Sequence, residues 1–247
     1  MAAEFDTVAE WTAQVAVHLG PPYFIPAGCR GSGSPAALEW LMDELGLAPG
    51  DALLDCGAGV GGPAAYAARE RSVHPVLVDP EAGACRAARS LFGHTVVRGS
   101  ATSLPLHDSA FDAAWSLGVL CTLPDQLALL TELGRVVRSP GRIGLLVFVA
   151  TTTDPKNQPE GNHFPTTDSL IDLIDKAALR IDAWESLSEV ASAPPQWQRR
   201  VDAVTAELRA RHSHQRAWQI ADRQADLVAQ LLDDSAVSGE LLSLRHR

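Results

Sequence analysis

Two aspartates and the glycines between them carry the strongest chemical signal in this sequence. Asp55 closes a short apolar run at 52–54, and Asp79 closes a second, Val76-Leu-Val, twenty residues past Gly59. Gly57, Gly59 and Gly61 lie between them, followed by Pro63 and an alanine-rich run that reads as a helix start. Glycine lets the backbone turn sharply and meet a ligand without a Cβ in the way. Strand, glycine turn, helix, strand, acid is the pattern of a nucleoside-binding βαβ unit, in which the second acid takes the ribose hydroxyls. Gly57, Gly59 and Gly62 also satisfy G-x-G-x-x-G, which leaves a nicotinamide or flavin protein open on these residues alone, as well as a purely structural turn.

The flanking segments must hold those two acids at one edge. Residues 4–19 have helical spacing, with Phe5, Val8, Trp11, Val15 and Leu19 on one stripe, and suit either core or a lid over a pocket. Residues 23–34 read as a loop of small residues, where Arg30 either pairs with a ligand carboxylate or stays solvated. A helix is expected from Ser34-Pro35 to about Leu45, closed by Gly46. Beyond the central unit, the pattern predicts a helix over 81–92 and strands over 94–98 and from Phe111. A helix over 125–137, a turn at Ser139-Pro-Gly and a strongly apolar strand over 142–149 follow. Alternating strands and helices imply a parallel sheet covered on both faces. A polar loop over 151–165 then leads to a helix, a strand over 179–184, about forty residues of helical pattern over 195–234, and a last strand near 240–244. That ending predicts an antiparallel edge carrying a helical cap.

Composition narrows the partners. A net charge of −10 argues against nucleic acid or an anionic membrane surface, because phosphate neutralisation needs a basic face. No apolar run approaches the 18 or so residues of a membrane span, and no secretory signal is visible at the N-terminus. Cys29, Cys56, Cys85 and Cys121 are scattered without C-x-x-C spacing, so neither a disulfide framework nor a metal site is expected, and a reducing cytoplasm is the simpler setting.

Five motifs in order complete the picture. Leu53-Leu-Asp-Cys-Gly-Ala-Gly-Val-Gly-Gly-Pro, Val78-Asp-Pro, Gly99-Ser-Ala-Thr-Ser-Leu-Pro-Leu, Phe111-Asp-Ala-Ala-Trp-Ser and Glu132-Leu-Gly-Arg-Val-Val-Arg-Ser-Pro-Gly-Arg run from about residue 45 to 150. Together they resemble the class I S-adenosylmethionine-dependent methyltransferases, and the Gly-Val-Gly-Gly-Pro variant is similar to the small-molecule branch that includes sterol and natural-product enzymes. The resemblance implies an α/β, Rossmann-like, mostly parallel seven-stranded sheet with helices on both faces. An N-terminal helical lid (1–45), a cofactor-binding core (46–150) and a C-terminal end of the sheet with an acceptor-binding cap (151–247, cap about 195–234) would form a single domain.

The same resemblance implies roles for individual positions. Asp55 would receive the methionine ammonium, and the backbone of Gly57, Ala58 and Gly59 would line the methionine part. Asp79, followed by Pro80, would accept the ribose hydroxyls, since an ionised carboxylate offers two acceptor oxygens. Ser100, Ala101 and Thr102 would hold adenine, although the family commonly has an acid where Ser100 stands. Ser116 and Leu117 would lie beside the methionine and the transferred methyl; from its own loop, and apart from the resemblance, Arg30 is a further candidate cofactor contact. Acceptor contacts would come from Tyr23, His163 and Trp197, and His163 is the candidate general base, because a neutral imidazole suits proton abstraction near pH 7.

Against a dinucleotide enzyme, Asp55 stands where such proteins keep an apolar residue. The only tyrosines are Tyr23 and Tyr66, the only lysines Lys156 and Lys176, and no Tyr-x-x-x-Lys pair exists. The expected activity is in-line methyl transfer from S-adenosylmethionine to a small-molecule acceptor, leaving S-adenosylhomocysteine, by a cytoplasmic monomer or homodimer. The alternatives are a methyltransferase-like protein that binds the cofactor without transferring methyl and, behind it, an NAD(P)-dependent oxidoreductase.

Overall fold

Short apolar strands alternating with amphipathic helices build the expected α/β architecture. The structure, a computed structural model, describes residues 2–152, 155 and 158–247; Lys156, within the polar loop, lies outside the described residues. Three helices lead in: α1 (Ala2–Leu19), α2 (Phe24–Gly28) and α3 (Pro35–Leu45). The central units are β1 (Ala52–Cys56), α4 (Gly62–Arg71), β2 (His74–Asp79), α5 (Ala82–Phe92), β3 (Thr95–Arg98) and β4 (Phe111–Leu117). Next come α6 (Gln126–Val136), β5 (Val137–Ala150), α7 (Thr167–Lys176) and β6 (Leu179–Ser186). Two long helices, α8 (Pro195–His212) and α9 (Arg216–Asp233), are inserted before the last strand, β7 (Val237–His246).

The seven strands lie in the order β3-β2-β1-β4-β5-β7-β6, and β7 is antiparallel to both of its neighbours. The central parallel strands β1 and β2 are buried on both faces, which is why Leu53-Leu54 and Leu77-Val78 are runs without polar alternation. On one face, Leu129, Leu130 and Leu133 of α6 and Leu170 and Ile174 of α7 pack over Leu54, Ile143, Leu145 and Val147. On the other, Leu38, Leu41 and Met42 of α3 and Tyr66 of α4 pack over Leu53, Trp115 and Leu146. The helix ends follow their sequence signals. Ser34 caps α3 through the Ala37 N–H, Asp125 caps α6 through Ala128, and Gly46 closes α3 in the left-handed region at φ 63°.

Three details depart from the sequence reading. The segment over 23–34 is not all loop: it holds a 3-10 turn at Pro21–Tyr23 and the short helix α2. A Cβ on Gly28 would stand 2.7 Å from the Gly62 nitrogen, so the paired glycines allow α2 to sit directly on the start of α4. Of the expected stripe on α1, Val15 is fully buried but Phe5 is 50% exposed, and the alanines Ala13 and Ala16 complete the buried face at 5% exposure or less. The Ser139-Pro-Gly turn lies inside β5, where the register with β4 slips between Phe111 and Ala113.

Around the carboxyl edge, α1 packs on α5, α8 and α9, so the N-terminal helix and the inserted pair meet each other. Trp218 of α9 and Val204 and Leu208 of α8 are buried against Val15 and Ala16 of α1 and Leu91 of α5. The ring of Trp11 stacks flat on His212 at 3.9 Å. Asp6 of α1 accepts a short hydrogen bond from the Gly83 N–H at the start of α5.

Candidate active site

The parallel register delivers both acids to the same edge and the same side of the sheet. Asp55 is the fourth residue of β1 and lies beside Leu77 of β2 and Trp115 of β4. Asp79 ends β2, and both are buried, at 2% and 8% exposure. Their environments differ in a way that matters chemically.

Asp79 already has work to do. Its Oδ2 accepts from the Gly59 N–H at 2.8 Å, and its Oδ1 accepts from the Glu81 N–H at 2.9 Å. It therefore ties the glycine turn to the following helix, and half of its acceptor capacity remains. Burial raises its pKa, the Glu81 and Gly59 N–H groups pull it back, and the charge of Asp6 adds to the rise.

Asp55 is left incomplete. Among the described residues its buried Oδ2 has no hydrogen-bond partner, nor has the buried Nε1 of Trp115, its neighbour in register. Burial pushes the Asp55 carboxyl up to about 7; the nearby Trp115 N–H and the Ala64 N–H of α4 oppose that rise, and Asp79 reinforces it. A buried polar oxygen without a donor costs on the order of 1–3 kcal/mol. A cationic donor from a ligand is the group that would satisfy it.

The glycine turn divides its tasks. The N–H groups of Gly57 and Ala58 both donate to Val78 O, at 2.8 and 3.1 Å, and Gly61 donates to Ala58 O. With Gly59 bound to Asp79, these four N–H groups are taken by the protein itself. At the start of α4, the Ala64 N–H is directed to Asp55. A Cβ on Gly57 would strike Val119 at 2.3 Å and one on Gly61 would strike Leu77 at 2.6 Å, whereas Gly59 faces open space at φ 54°. Gly59 is thus the position where a ligand can approach the backbone.

Contacts at the ends of β2 and β4 fix several of the other candidates. Gly99 donates to Asp79 O, which brings the Ser100–Thr102 turn to the end of β2 beside Pro80. The exposed Ser100 hydroxyl lies 2.9 Å from that of Thr102 and accepts from the Thr102 N–H, while Ala101 is buried. Ser116 donates to Cys56 O at 3.0 Å, joining the ends of β1 and β4. Gly118, after Leu117, donates to Leu146 O and packs close to Gly31 O. The Arg30 loop therefore covers the end of β4. Among the described residues, the Arg30 side chain makes one hydrogen bond, a long one of 3.4 Å to Thr12 of α1. Burial lowers its pKa, against the attraction of Asp222 on α9.

His163 is exposed, but its main chain is fixed beside the site: its N–H donates to Cys121 O at 2.6 Å, and its carbonyl accepts from the buried Gln126 at 2.5 Å. Tyr23 packs with Trp11, Phe24 and Val60 in the cluster that joins α1, α5, α8 and α9. Trp197 meets Tyr66 edge-on at 6.0 Å, over the groove between α3 and α4. Burial raises all four cysteine thiols, so none is a ready thiolate near neutral pH. The sequence reading missed Trp115, Val119 and Gly28. Trp115 depends on strand register and the other two on contacts across the fold, neither of which local spacing encodes.

Comparison with known proteins agrees with this arrangement. Residues 54–145 match the family model described as a methyltransferase domain. A 24-methylenesterol C-methyltransferase 2 of Oryza sativa subsp. japonica is 29% identical over 160 residues, which are 62% of this chain and 44% of that protein. The chain thus spans less than half the length of the curated relatives it matches first. Among solved structures, the [4+2]-cyclase SpnF superposes with a TM-score of 0.67 at 22% identity, over 85% of this chain and 80% of that one. Geranyl diphosphate C-methyltransferase from Streptomyces coelicolor A3(2), solved with Mg2+, geranyl diphosphate and S-adenosyl-L-homocysteine, does so with a TM-score of 0.64 at 18% identity. That superposition covers 86% of this chain and 79% of the other. Matched motif segment, strand order and paired acids agree: residues 54–145 are similar to the methyltransferase-domain family, and they sit on a Rossmann-like, mostly parallel seven-stranded α/β fold.

Proposed function

We propose that this chain binds S-adenosylmethionine and transfers its methyl group to a small-molecule acceptor of natural-product type. The observation that supports the reading is the buried Oδ2 of Asp55, without a partner among the described residues, one strand away from Asp79 at the carboxyl edge of the sheet. An ammonium suits the first acid and a ribose diol suits the free acceptor sites of the second. The residues assigned to the cofactor are Asp55, Gly57, Ala58, Gly59, Asp79, Pro80, Ser100, Ala101, Thr102, Ser116 and Leu117. Arg30 is assigned to its carboxylate, because a guanidinium held by one long bond among the described residues retains donors for an anion.

The bound sulfonium supplies the electrophilic methyl group and its own leaving group. What the chain contributes is position and dryness. Asp55 and Asp79 anchor the two ends, while the Arg30 loop and the α1–α8–α9 layer shield the edge from water. Where the acceptor must lose a proton, His163 is the group we assign to take it, and Tyr23 and Trp197 are assigned to acceptor contact. The acidic net charge supports a metabolite rather than a nucleic acid as acceptor. No helix among the described residues is long and apolar enough to cross a membrane. Four buried free cysteines support a reducing, cytoplasmic setting. Monomer and homodimer are both compatible with such a site.

Calorimetric titration with S-adenosylhomocysteine, followed by incubation with methyl-labelled cofactor and a panel of small acceptors, tests the proposal. Saturable binding with labelled product supports it. Binding without product across the panel favours a cofactor-dependent role without methyl transfer, and absence of binding refutes both.

A further inference from the structure

The edge of the sheet opposite the paired acids carries a second feature. A cavity of about 410 Å3 opens there, lined by the Ser139–Arg142 turn, Arg180, Arg245 and His246. Its chemistry follows from register. Arg142 of β5 is directly opposite Arg245 of β7, and Arg245 is directly opposite Arg180 of β6. Directly opposed residues on adjacent strands project to the same face, so three arginines form one cross-strand row on the side covered by α3. Like charges set opposite one another are destabilising in a sheet. A chain with a net charge of −10 nevertheless gathers three guanidinium groups at this spot.

Internal neutralisation is partial. Asp182 is the one carboxylate that the described ion pairs bring to the row: its Oδ1 is 2.8 Å from Arg245 Nε and its Oδ2 is 3.4 Å from Arg142 Nη2. The β-bulge between Ile181 and Ala183 places Asp182 there, as the residue without a strand partner on β7. Arg142 also donates to the Glu44 carbonyl at the end of α3. Arg180 is exposed and, among the described residues, has no side-chain hydrogen bond or ion pair. His246 turns its Nε2 to Val137 O at 3.0 Å, on the same rim. Three fixed positive charges and one negative charge leave an excess of two at the mouth of a cavity.

From this row we infer a second ligand site, which takes the phosphoryl group of a small metabolite. Guanidinium forks match the geometry of a tetrahedral oxyanion, and a dianionic phosphate balances the excess charge where a monoanion would not. The volume exceeds that of a bare phosphate and falls in the range of small-ligand pockets, so an organic remainder has room beside the Ser139–Pro140–Gly141 turn. The row lies at the amino end of β5 and is built from β5, β6 and β7. It shares no residue with the paired acids, so the site operates independently of the cofactor chemistry.

Titration calorimetry of the full chain with inorganic phosphate and with pyrophosphate, against sodium chloride at matched ionic strength, decides the matter. Expected is saturable binding of phosphate, tighter binding of pyrophosphate, and no saturable response to chloride. Arg180→Ala removes a side chain without partners among the described residues and should weaken phosphate binding by roughly tenfold or more, the loss of one charge-assisted contact. Affinity for S-adenosylhomocysteine should not change in that variant. Arg69→Ala, the same charge change at an exposed arginine paired with Glu70, serves as control and should leave phosphate binding intact. Absence of saturable phosphate binding, or equal loss in the Arg180 and Arg69 variants, overturns the inference and reduces the row to a general electrostatic feature.

Discussion

Replacing Asp55 with asparagine should make the ligand-free protein more stable at alkaline pH while removing its cofactor. In the folded chain burial raises the carboxyl from an ordinary value near 3.8 to about 7. A carboxyl whose pKa rises on folding favours the native state when protonated. That contribution is whole below about pH 3.8 and is lost progressively as pH climbs through 7. At about 1.4 kcal/mol for each tenfold change in the protonation equilibrium, the ionised acid costs the fold about 4 kcal/mol at pH 8. At pH 5 the corresponding cost is between 1 and 2 kcal/mol, roughly. Asparagine has the same shape and no charge, so its stability should be flat over that range. The difference between wild type and variant should therefore grow by about 3 kcal/mol from pH 5 to pH 8, which is about 6 °C of melting temperature for a chain of this size.

Differential scanning calorimetry across that pH range measures the effect, with and without S-adenosylhomocysteine. The ligand should narrow the gap, because its ammonium gives the wild-type carboxylate the donor it lacks, while the variant gains little from it. For the same reason wild-type affinity should fall as pH drops below 7, where binding must first expel a proton from Asp55. A stability difference that stays constant between pH 5 and 8, or a variant that binds S-adenosylhomocysteine as tightly as wild type, would falsify the placement of Asp55 against a cation.

Other perturbations separate the remaining roles. Asp79→Ala should weaken S-adenosylhomocysteine binding by one to three orders of magnitude, on the order of 2–4 kcal/mol, through lost charged hydrogen bonds; an unchanged dissociation constant in calorimetry contradicts the ribose assignment. Gly28→Ala should cost about 1–3 kcal/mol of stability, because its Cβ would meet the Gly62 backbone at 2.7 Å and backbone yields less than a side chain. A melting temperature equal to wild type would show that α2 is free to move off α4. Arg30→Ala should reduce affinity for S-adenosylhomocysteine roughly tenfold, yet leave affinity for an analogue lacking the carboxylate unchanged. An equal loss for both ligands would make Arg30 a positioning residue of its loop.

Much of this architecture was readable from residue order because the signals are local. Continuous apolar runs mark strands covered on both faces, and Ser34, Asp125 and Gly46 mark helix ends by the hydrogen bonds they make. The order of alternating elements implies the parallel sheet, and the late strands flanking a helical insert imply its antiparallel edge. What spacing did not reveal depends on contact between distant segments. The small residues of 24–28 read as loop, yet Gly28 exists to meet Gly62. The stripe of large residues on α1 drew attention from the alanines that form its contact face, because a tightly apposed helix buries small side chains. Trp115 faces Asp55 only once β4 is laid beside β1 in register.

The glycine turn shows how similar motifs part company. G-x-G-x-x-G in a dinucleotide protein leaves backbone N–H groups free, because a pyrophosphate must be held by donors at the helix start. Here Gly57 and Ala58 spend theirs on Val78, Gly59 on Asp79 and Gly61 on Ala58. The start of α4 is covered by Gly28 and turns the Ala64 N–H toward Asp55. Such a turn presents carboxylates where a phosphate cradle would present donors, and two negative charges at one edge repel a phosphate. A sulfonium nucleoside with an ammonium at one end and a diol at the other, and with no phosphate between, meets both conditions. The acid that replaces an apolar residue at position 55 thus belongs to the same arrangement as the closed N–H groups. Reopening those N–H groups without removing Asp55 and Asp79 should not create a dinucleotide site.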